Sequence, residues 1–88
     1  MRAYVFIETK VGMARKVTDT LRSLQSTSSH VLAVDTVAGP YDIIAVLEAA
    51  DTDRIGHVVS EDIHKIEGVE KTTSCFVLGD GPNRLGRV

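Results

Sequence analysis

The chain has 88 residues, with ten Lys and Arg against twelve Asp and Glu, a formal net charge of −2 and a single cysteine. This length makes one domain, and folding buries only about 60–65% of the surface that the unfolded chain exposes, so an isolated copy has a small stability margin. One cysteine excludes a disulfide within the chain and fits a reducing compartment. The basic residues are scattered without a stripe or an arm, which argues against direct nucleic-acid binding.

The chain shows no sign of export or of membrane insertion. The first strand-like stretch begins at Ala3, which leaves no room for a signal peptide, and no apolar run approaches the length that crosses a bilayer. We therefore expect a cytoplasmic protein with no membrane partner.

The first half of the chain predicts two strands around a helix. Residues 3–8 are short, aromatic and β-branched, as in a strand. After Gly12, residues at helical spacing form an apolar face, namely Met13, Val17, Thr20, Leu21 and Leu24. The hydroxyl-rich residues 26–29 are predicted to end this helix, because such side chains compete for backbone hydrogen bonds. Residues 30–37 predict the second strand.

The second half repeats this pattern. A turn at residues 38–42 leads into a third strand, and Asp51 or Thr52 is expected to cap the next helix. The apolar face of that helix comprises Ile55, Val58, Val59, Ile63 and Ile66, and Asp62 falls inside it. Gly68 ends the helix before a fourth strand at residues 69–78.

The order of elements is β-α-β-β-α-β, which predicts an α+β, ferredoxin-like fold. Right-handed crossovers place both helices on one face of a four-stranded antiparallel sheet. We assign residues 1–78 to this domain. Residues 79–88 contain three Gly and one Pro, and they predict a tail that is flexible or ordered by a partner.

Three of the predicted strands are apolar at successive positions, in residues 4–7, 43–47 and 75–78. Because side chains alternate between the faces of a sheet, both faces then carry apolar groups, and the helices cover only one. A second copy packed sheet against sheet is the favoured cover, and a small crowded core is the alternative explanation. The predicted interface residues are Tyr4, Phe6, Ile44, Val46 and Phe76.

The turn at residues 39–42, Gly-Pro-Tyr-Asp, admits two interpretations. One is a hairpin turn with a solvated carboxylate, since Pro40 presets φ and Gly39 adds freedom beside it. The other is a ligand site, in which Asp42 accepts from an ammonium group and backbone N–H groups around Gly39 and Tyr41 bind a carboxylate. Such a site suits a zwitterion.

Residues 36–49, TVAGPYDIIAVLEA, and the later IEGVEKTTS, residues 66–74, resemble a known family. They are similar to the regulation-of-amino-acid-metabolism (RAM) module of the Lrp/AsnC, or feast/famine, regulators. The characteristic pieces are the Gly-x-Tyr-Asp hairpin at residues 39–42 and the Gly-Val at residues 68–69 before a Thr/Ser-bearing strand. The resemblance covers roughly residues 3–78.

The resemblance implies a ferredoxin-like fold, dimers formed through their sheets as a dimeric α+β barrel, and assembly of dimers into rings, often octamers. It also implies that an amino acid or a related effector binds in clefts between dimers. The residues that carry over to this cleft are Val37, Gly39, Tyr41 and Asp42, with Thr72 and Ser74 as further candidates. Full-length members have an N-terminal helix-turn-helix that has no counterpart here. The resemblance is therefore to a stand-alone module, which senses an amino acid or modulates transcription by co-assembly with a DNA-binding relative.

Two other functions stay open at this point. A dimeric α+β barrel enzyme, such as a small cofactor-free monooxygenase, has the same topology but requires a polar pocket with a general acid or base. The helix faces here offer only Thr20 and Asp62 for that role, so we expect no enzyme activity and no cofactor. A ligand-free assembly partner is the third possibility.

No metal site is predicted either. His57, Glu61 and His64 follow the exposed side of the second helix, where the two histidines are about 10 Å apart, too far for one ion. Cys75 is expected to be a buried small hydrophobic residue rather than a reactive thiol.

Overall fold

The computed structural model describes residues 1–24 and 29–79. The elements follow in the order β1 (Arg2–Thr9), α1 (Ala14–Arg22), β2 (Ser29–Thr36), β3 (Ile43–Ala49), α2 (Thr52–Val58) with a π-helical turn (Val59–Ile63), and β4 (Val69–Phe76). The predicted order is confirmed, with small shifts at the ends of strands. Most of the hydroxyl-rich stretch after α1, and the predicted tail beyond Gly79, lie outside the described residues.

The four strands form one antiparallel sheet in the order β2-β3-β1-β4. Each helix therefore joins two strands that have a third strand between them, which is the split βαβ arrangement of a ferredoxin-like fold. The predicted α+β fold class is confirmed. None of the described helices is long and apolar enough to cross a membrane.

One face of the sheet and both helices form a single hydrophobic core. Every second residue of the two central strands is fully buried in it, namely Ala3, Val5, Ile7, Ile43, Ala45 and Leu47. The helices add Val17, Leu21, Ile55, Val58 and Ile63. Burying one such aliphatic side chain contributes about 1.5–3 kcal/mol, so this core supplies most of the favourable free energy of folding.

The first helix is attached to the edge strand β2 by polar contacts that the apolar pattern did not predict. Thr18 is only 3% exposed, and its hydroxyl lies 2.9 Å from that of Thr36. Arg22 donates to the carbonyl oxygen of Val34 at 3.2 Å. Thr20, which the sequence pattern places on the apolar face, is half-exposed and donates to the carbonyl oxygen of Lys16 instead. The buried hydroxyl of this helix is therefore that of Thr18.

The second helix contains one extra residue, which explains the odd position of Asp62. In a regular α-helix, Asp62 follows Val58 and Val59 by four and three residues and would share their buried face. Here the N–H of His64 donates to the carbonyl oxygen of Val59 at 2.7 Å, which is the wider spacing of a π turn. Ile63 is fully buried in the core, as its spacing from Val59 predicts, whereas Asp62 is only half-buried at the edge of the core.

Gly68 lies where the chain passes close to α1. Its φ is 102°, and a Cβ added there would lie 2.9 Å from the Cβ of Met13 and 3.1 Å from the Cγ2 of Val17. Its carbonyl oxygen accepts from the N–H of Lys10 at 2.8 Å. Gly68 thus does more than end a helix, because it lets the start of β4 sit against both α1 and the end of β1.

Candidate functional site

The Gly-Pro-Tyr-Asp turn closes the hairpin between β2 and β3. The N–H of Val37 donates to the carbonyl oxygen of Asp42 at 2.9 Å, which joins the two ends of the turn. The N–H of Asp42 donates to the carbonyl oxygen of Ile7 at 3.0 Å, which attaches the turn to β1. Between these bonds, Gly39 and Pro40 are exposed, and Gly39 has a φ of 155° that few other residues adopt. The tip of the turn is thus open to solvent while its base is fixed.

The carboxylate of Asp42 has a structural partner inside the chain. One of its oxygens accepts from the backbone N–H of Thr9 at 2.9 Å, in a partly buried position. Thr9 lies where the pairing of β1 with β4 shifts register, between Glu8 and Thr9. An amide at such an irregularity needs another acceptor, and Asp42 supplies it. The interpretation of Asp42 as a solvated turn residue, one of the two that the sequence leaves open, is therefore incomplete, because its carboxylate also binds β1.

The other segment that carries the sequence resemblance, the Gly-Val at residues 68–69, accepts from the next backbone N–H in the chain, that of Lys10. Lys10 donates to Gly68, as described above, directly after Thr9 donates to Asp42. The Gly-x-Tyr-Asp turn and the Gly-Val segment thus meet at two consecutive amides at the end of β1.

Tyr41 connects the turn to the uncovered face of the sheet. Its ring centroid lies 5.1 Å from that of Phe6, and the two ring planes are tilted by 42°. Phe6 stands between the buried Val5 and Ile7, so its side chain lies on the face away from the helices. Of the predicted site residues, the turn therefore brings Tyr41 to this uncovered face.

We call the uncovered face of the sheet the open face, and its middle is an apolar centre. This centre consists of two cross-strand pairs, Tyr4 with Val46 and Phe6 with Ile44, and all four side chains are half-buried in the single chain. Polar groups surround it: Arg2 and Glu48 form an ion pair at 3.5 Å at one end. Asp35 stands opposite Ile44 on the neighbouring strand. An apolar centre with a charged rim is typical of a protein interface.

The register of β4 places three predicted residues on the other face. Phe76 pairs with Ala3, Ser74 with Val5 and Thr72 with Ile7, and residues directly opposite each other share a face. Phe76 is 38% exposed at the sheet edge, so it is separated from the other four predicted interface residues. Thr72 and Ser74 are half-buried on the helix side, away from the Tyr41 ring. The sequence does not show this, because neither the hydroxyl-bearing residues 72–74 nor the apolar residues 75–78 tell which alternate positions face which side.

The same register brings two unpredicted residues to the open face. Thr73 stands opposite Phe6 and is half-buried, and Cys75 stands opposite Tyr4 and is exposed. The prediction of a buried Cys75 is therefore wrong. Thr73 is the hydroxyl-bearing residue of β4 nearest to the pair of rings along the sheet, and only the strand register distinguishes it from Thr72 and Ser74.

The lowered carboxyl pKa values belong to exposed ion pairs elsewhere. The carboxylate of Asp51 caps α2 by accepting from the backbone N–H of Arg54, and this bond lowers the pKa of that carboxyl. Lys65 donates to Glu61 and Lys16 to Glu67, and each lowers the pKa of its partner. In residues 1–24 and 29–79, no three His, Cys, Asp or Glu side chains are grouped so that they hold a metal ion.

The fold and the site define a small α+β domain with a surface turn beside an open apolar face. The family model of the Lrp/AsnC ligand binding domain matches residues 2–80. Because this match spans nearly the whole chain, the protein belongs to the Lrp/AsnC family, and the resemblance noted in the sequence is confirmed. A search of curated proteins finds no significant match.

Known structures share the fold over nearly all of this chain. The chain is similar to TTHA0845 of Thermus thermophilus, with 27% identity, a TM-score of 0.80, and coverage of 92% of this chain and 96% of that one. It is similar to Escherichia coli AsnC, with 21% identity, a TM-score of 0.79, and coverage of 90% and 51%. It is also similar to the transcriptional regulator NMB0573 of Neisseria meningitidis in complex with L-Met, with 21% identity, a TM-score of 0.75, and coverage of 90% and 50%. The chain thus spans about half the length of these two regulators.

Proposed function

We propose that this protein binds an amino acid, or a chemically related small effector, and acts as a regulatory module without catalysis of its own. The observation that carries the proposal is the match of residues 2–80 to the Lrp/AsnC ligand binding domain. The L-Met complex of the Neisseria meningitidis regulator, which has the same fold, supports an amino acid as the class of effector.

The chemistry of the turn suits this class. A carboxylate accepts up to about four hydrogen bonds, so Asp42 keeps capacity for an ammonium group beside its bond from Thr9. The exposed backbone around Gly39 offers N–H groups to the carboxylate of the same effector, and the hydroxyl of Tyr41 is a further donor. Val37, at the base of the turn, is half-buried and is proposed to contact the effector through its side chain. Thr72 and Ser74 enter the site, on this proposal, only through a cleft that includes another subunit.

The second part of the proposal is that a second copy covers the open face. Two sheets packed through their apolar centres form the dimeric α+β barrel, and the charged groups remain at the rim. In keeping with the family, dimers assemble into a ring such as an octamer, with the effector between dimers. Co-assembly with a DNA-binding relative is the proposed link to transcription.

The competing function, a cofactor-free monooxygenase of the same topology, lacks support in the core. Such an enzyme needs a free acid or base between sheet and helices. Among the described residues, the one fully buried polar side chain is Thr18, and its hydroxyl is already paired with Thr36. The regulatory proposal therefore fits the interior better.

A thermal-shift screen of the twenty amino acids, run beside light scattering, tests the binding proposal. We expect one or a few amino acids to raise the melting temperature, because a ligand that binds only the folded state stabilises it. The scattering should report a dimer or a larger assembly. A melting temperature that no amino acid moves would contradict the proposal and favour a ligand-free assembly partner.

A charge-neutral variant tests Asp42 itself. Asp42→Asn keeps an oxygen that accepts from Thr9 but removes the charge, so it should leave the unliganded melting temperature nearly unchanged. The affinity for the amino acid found in the screen should fall about 10- to 100-fold, as for a lost hydrogen bond to a charged group. Asp35→Asn, the same change at an exposed position of β2, is the control and should bind like the wild type. Equal affinity of Asp42→Asn and wild type in calorimetry would move the site elsewhere.

A further inference from the structure

We propose that Phe6 is a positioning residue for the effector site, because its ring fixes the ring of Tyr41 and with it the exposed turn. This inference rests on the proposed function and adds to it a residue that lies on β1, 35 positions before its partner. No part of the Gly-x-Tyr-Asp pattern points to Phe6, since the contact arises only when β1 and β3 pair.

The geometry of the two rings supports a specific contact. A centroid distance of 5.1 Å with a tilt of 42° lies in the range in which aromatic pairs attract each other. The backbone bonds of the turn hold Val37 and Asp42, at its two ends. Tyr41 is half-buried although the nearby Gly39 and Pro40 are exposed, and its ring packs against the ring of Phe6.

The location of Phe6 explains why this role differs from ordinary packing. Its side chain lies on the open face, opposite Ile44, and the core on the other side of the sheet does not need it. Replacing the ring with a smaller apolar side chain therefore keeps the sheet and its core but removes the support of Tyr41. The loss should appear in effector affinity and in the order of the turn, more than in the stability of the fold.

A double-mutant cycle tests the inference through binding. The probe is the amino acid, among the twenty standard ones, that raises the wild-type melting temperature most. We expect Phe6→Leu to bind it about two- to tenfold more weakly, which corresponds to the usual value of an aromatic pair. If Phe6 acts through Tyr41, the variant Phe6→Leu/Tyr41→Leu should bind no more weakly than Tyr41→Leu. Losses that simply add would overturn the proposal.

Matched variants separate positioning from packing and assembly. Phe76→Leu makes the same change at the other phenylalanine of the chain, on the opposite face of the sheet, and should bind like the wild type. Phe6→Tyr keeps the ring and should restore wild-type affinity, and Phe6→Met is a second ring-free variant should Phe6→Leu fail to fold. Light scattering at the concentration of the binding assay shows whether each variant keeps its assembly. Wild-type affinity in a folded ring-free variant would refute the role of Phe6.

A measurement without effector distinguishes failure of this inference from failure of the proposed function. Backbone NMR order parameters of residues 38–41 in the free protein should fall in the ring-free variant while those of the core strands stay unchanged. If no amino acid binds the wild type, the effector proposal fails, and these order parameters still decide whether Phe6 positions Tyr41. Equal order in wild type and variant would overturn the inference.

Discussion

At Gly68, the space available for a side chain is set by α1 and not by the local turn alone. The nearest neighbours of an added Cβ are the Cβ and Cε of Met13, at 2.9 and 3.0 Å, and the first of these cannot move without moving the helix. The backbone is also in a conformation that favours glycine, with φ at 102°. A substitution at Gly68 is therefore destabilising for two independent reasons, the close contact with Met13 and the strained backbone conformation.

We predict that Gly68→Ala lowers the free energy of unfolding by about 2–4 kcal/mol, from overpacking and backbone strain together. Urea denaturation followed by circular dichroism measures this change. Gly56→Ala is the control, because Gly56 lies in α2 with nothing within 4 Å of an added Cβ. It should be neutral or stabilising by up to about 1 kcal/mol, since alanine favours a helix. A Gly68→Ala variant as stable as Gly56→Ala would contradict the close packing described here.

At the scale of residues, the sequence predicts which residues form the turn at 39–42 better than it predicts which residues of β4 lie on the same face of the sheet. Gly39, Tyr41 and Asp42 are adjacent in the chain, so their proximity needs no knowledge of the fold. The faces of Thr72 and Ser74 depend on register, and a shift of one residue reverses every side chain of a strand. Likewise, the bond from Thr9 to Asp42 joins residues 33 positions apart, and nothing in either segment alone predicts it.

At the scale of elements, the π turn decides which side of the second helix faces the core. Before it, Ile55 and Val58 keep the α-helical spacing, and after it Ile63 is fully buried as expected, while Asp62, which an α-helix would also bury, is only half-buried. The sequence shows the apolar residues but not the extra residue between them, because a π turn has no composition of its own. That is why a regular helical period puts Asp62 inside the apolar face.

We predict effects of very different size for two neighbouring truncations in this turn. Ile63→Ala should lower the free energy of unfolding by about 2–5 kcal/mol, because it leaves a cavity in the core. Asp62→Ala should change it by no more than about 0.5 kcal/mol, as at other partly exposed sites. Chemical denaturation of the two variants checks both values. If Asp62→Ala lowered the free energy of unfolding as much as Ile63→Ala, the helix would keep a regular α period and bury Asp62 beside Ile63.

At the scale of the whole molecule, the open face leaves apolar side chains of the two central strands partly uncovered in the single chain. The succession of apolar residues in 4–7 and 43–47 correctly predicted that both sides of the central strands carry apolar groups. The fold could also be predicted, because the spacing of apolar residues distinguishes strands from helices and the order of these elements allows few topologies. Which residues of the edge strand join the open face was not predictable, because that depends on pairing with β1.

We predict that Val46→Glu weakens self-association about a hundredfold or more, because it places two unpaired carboxylates in an apolar interface. Val46 pairs with Tyr4 at the centre of the open face. Analytical ultracentrifugation over a range of concentrations gives the dissociation constant. Phe76→Glu is the control, since Phe76 is apolar and half-exposed but lies on the other side of the sheet. Equal loss of association in both variants, or no loss in Val46→Glu, would contradict assembly through the open face.

The two consecutive amides at the end of β1 have a wider consequence for sequence comparison. The backbone N–H groups of Thr9 and Lys10 donate to Asp42 and Gly68. The two segments that carry the sequence resemblance therefore also fix the end of β1 within the fold. The need to keep this fold would therefore preserve both segments whether or not the turn binds an effector. If the turn binds an effector as proposed, changes at the exposed Ala38 and Pro40, which form neither of these two bonds, would alter effector choice without disturbing the fold.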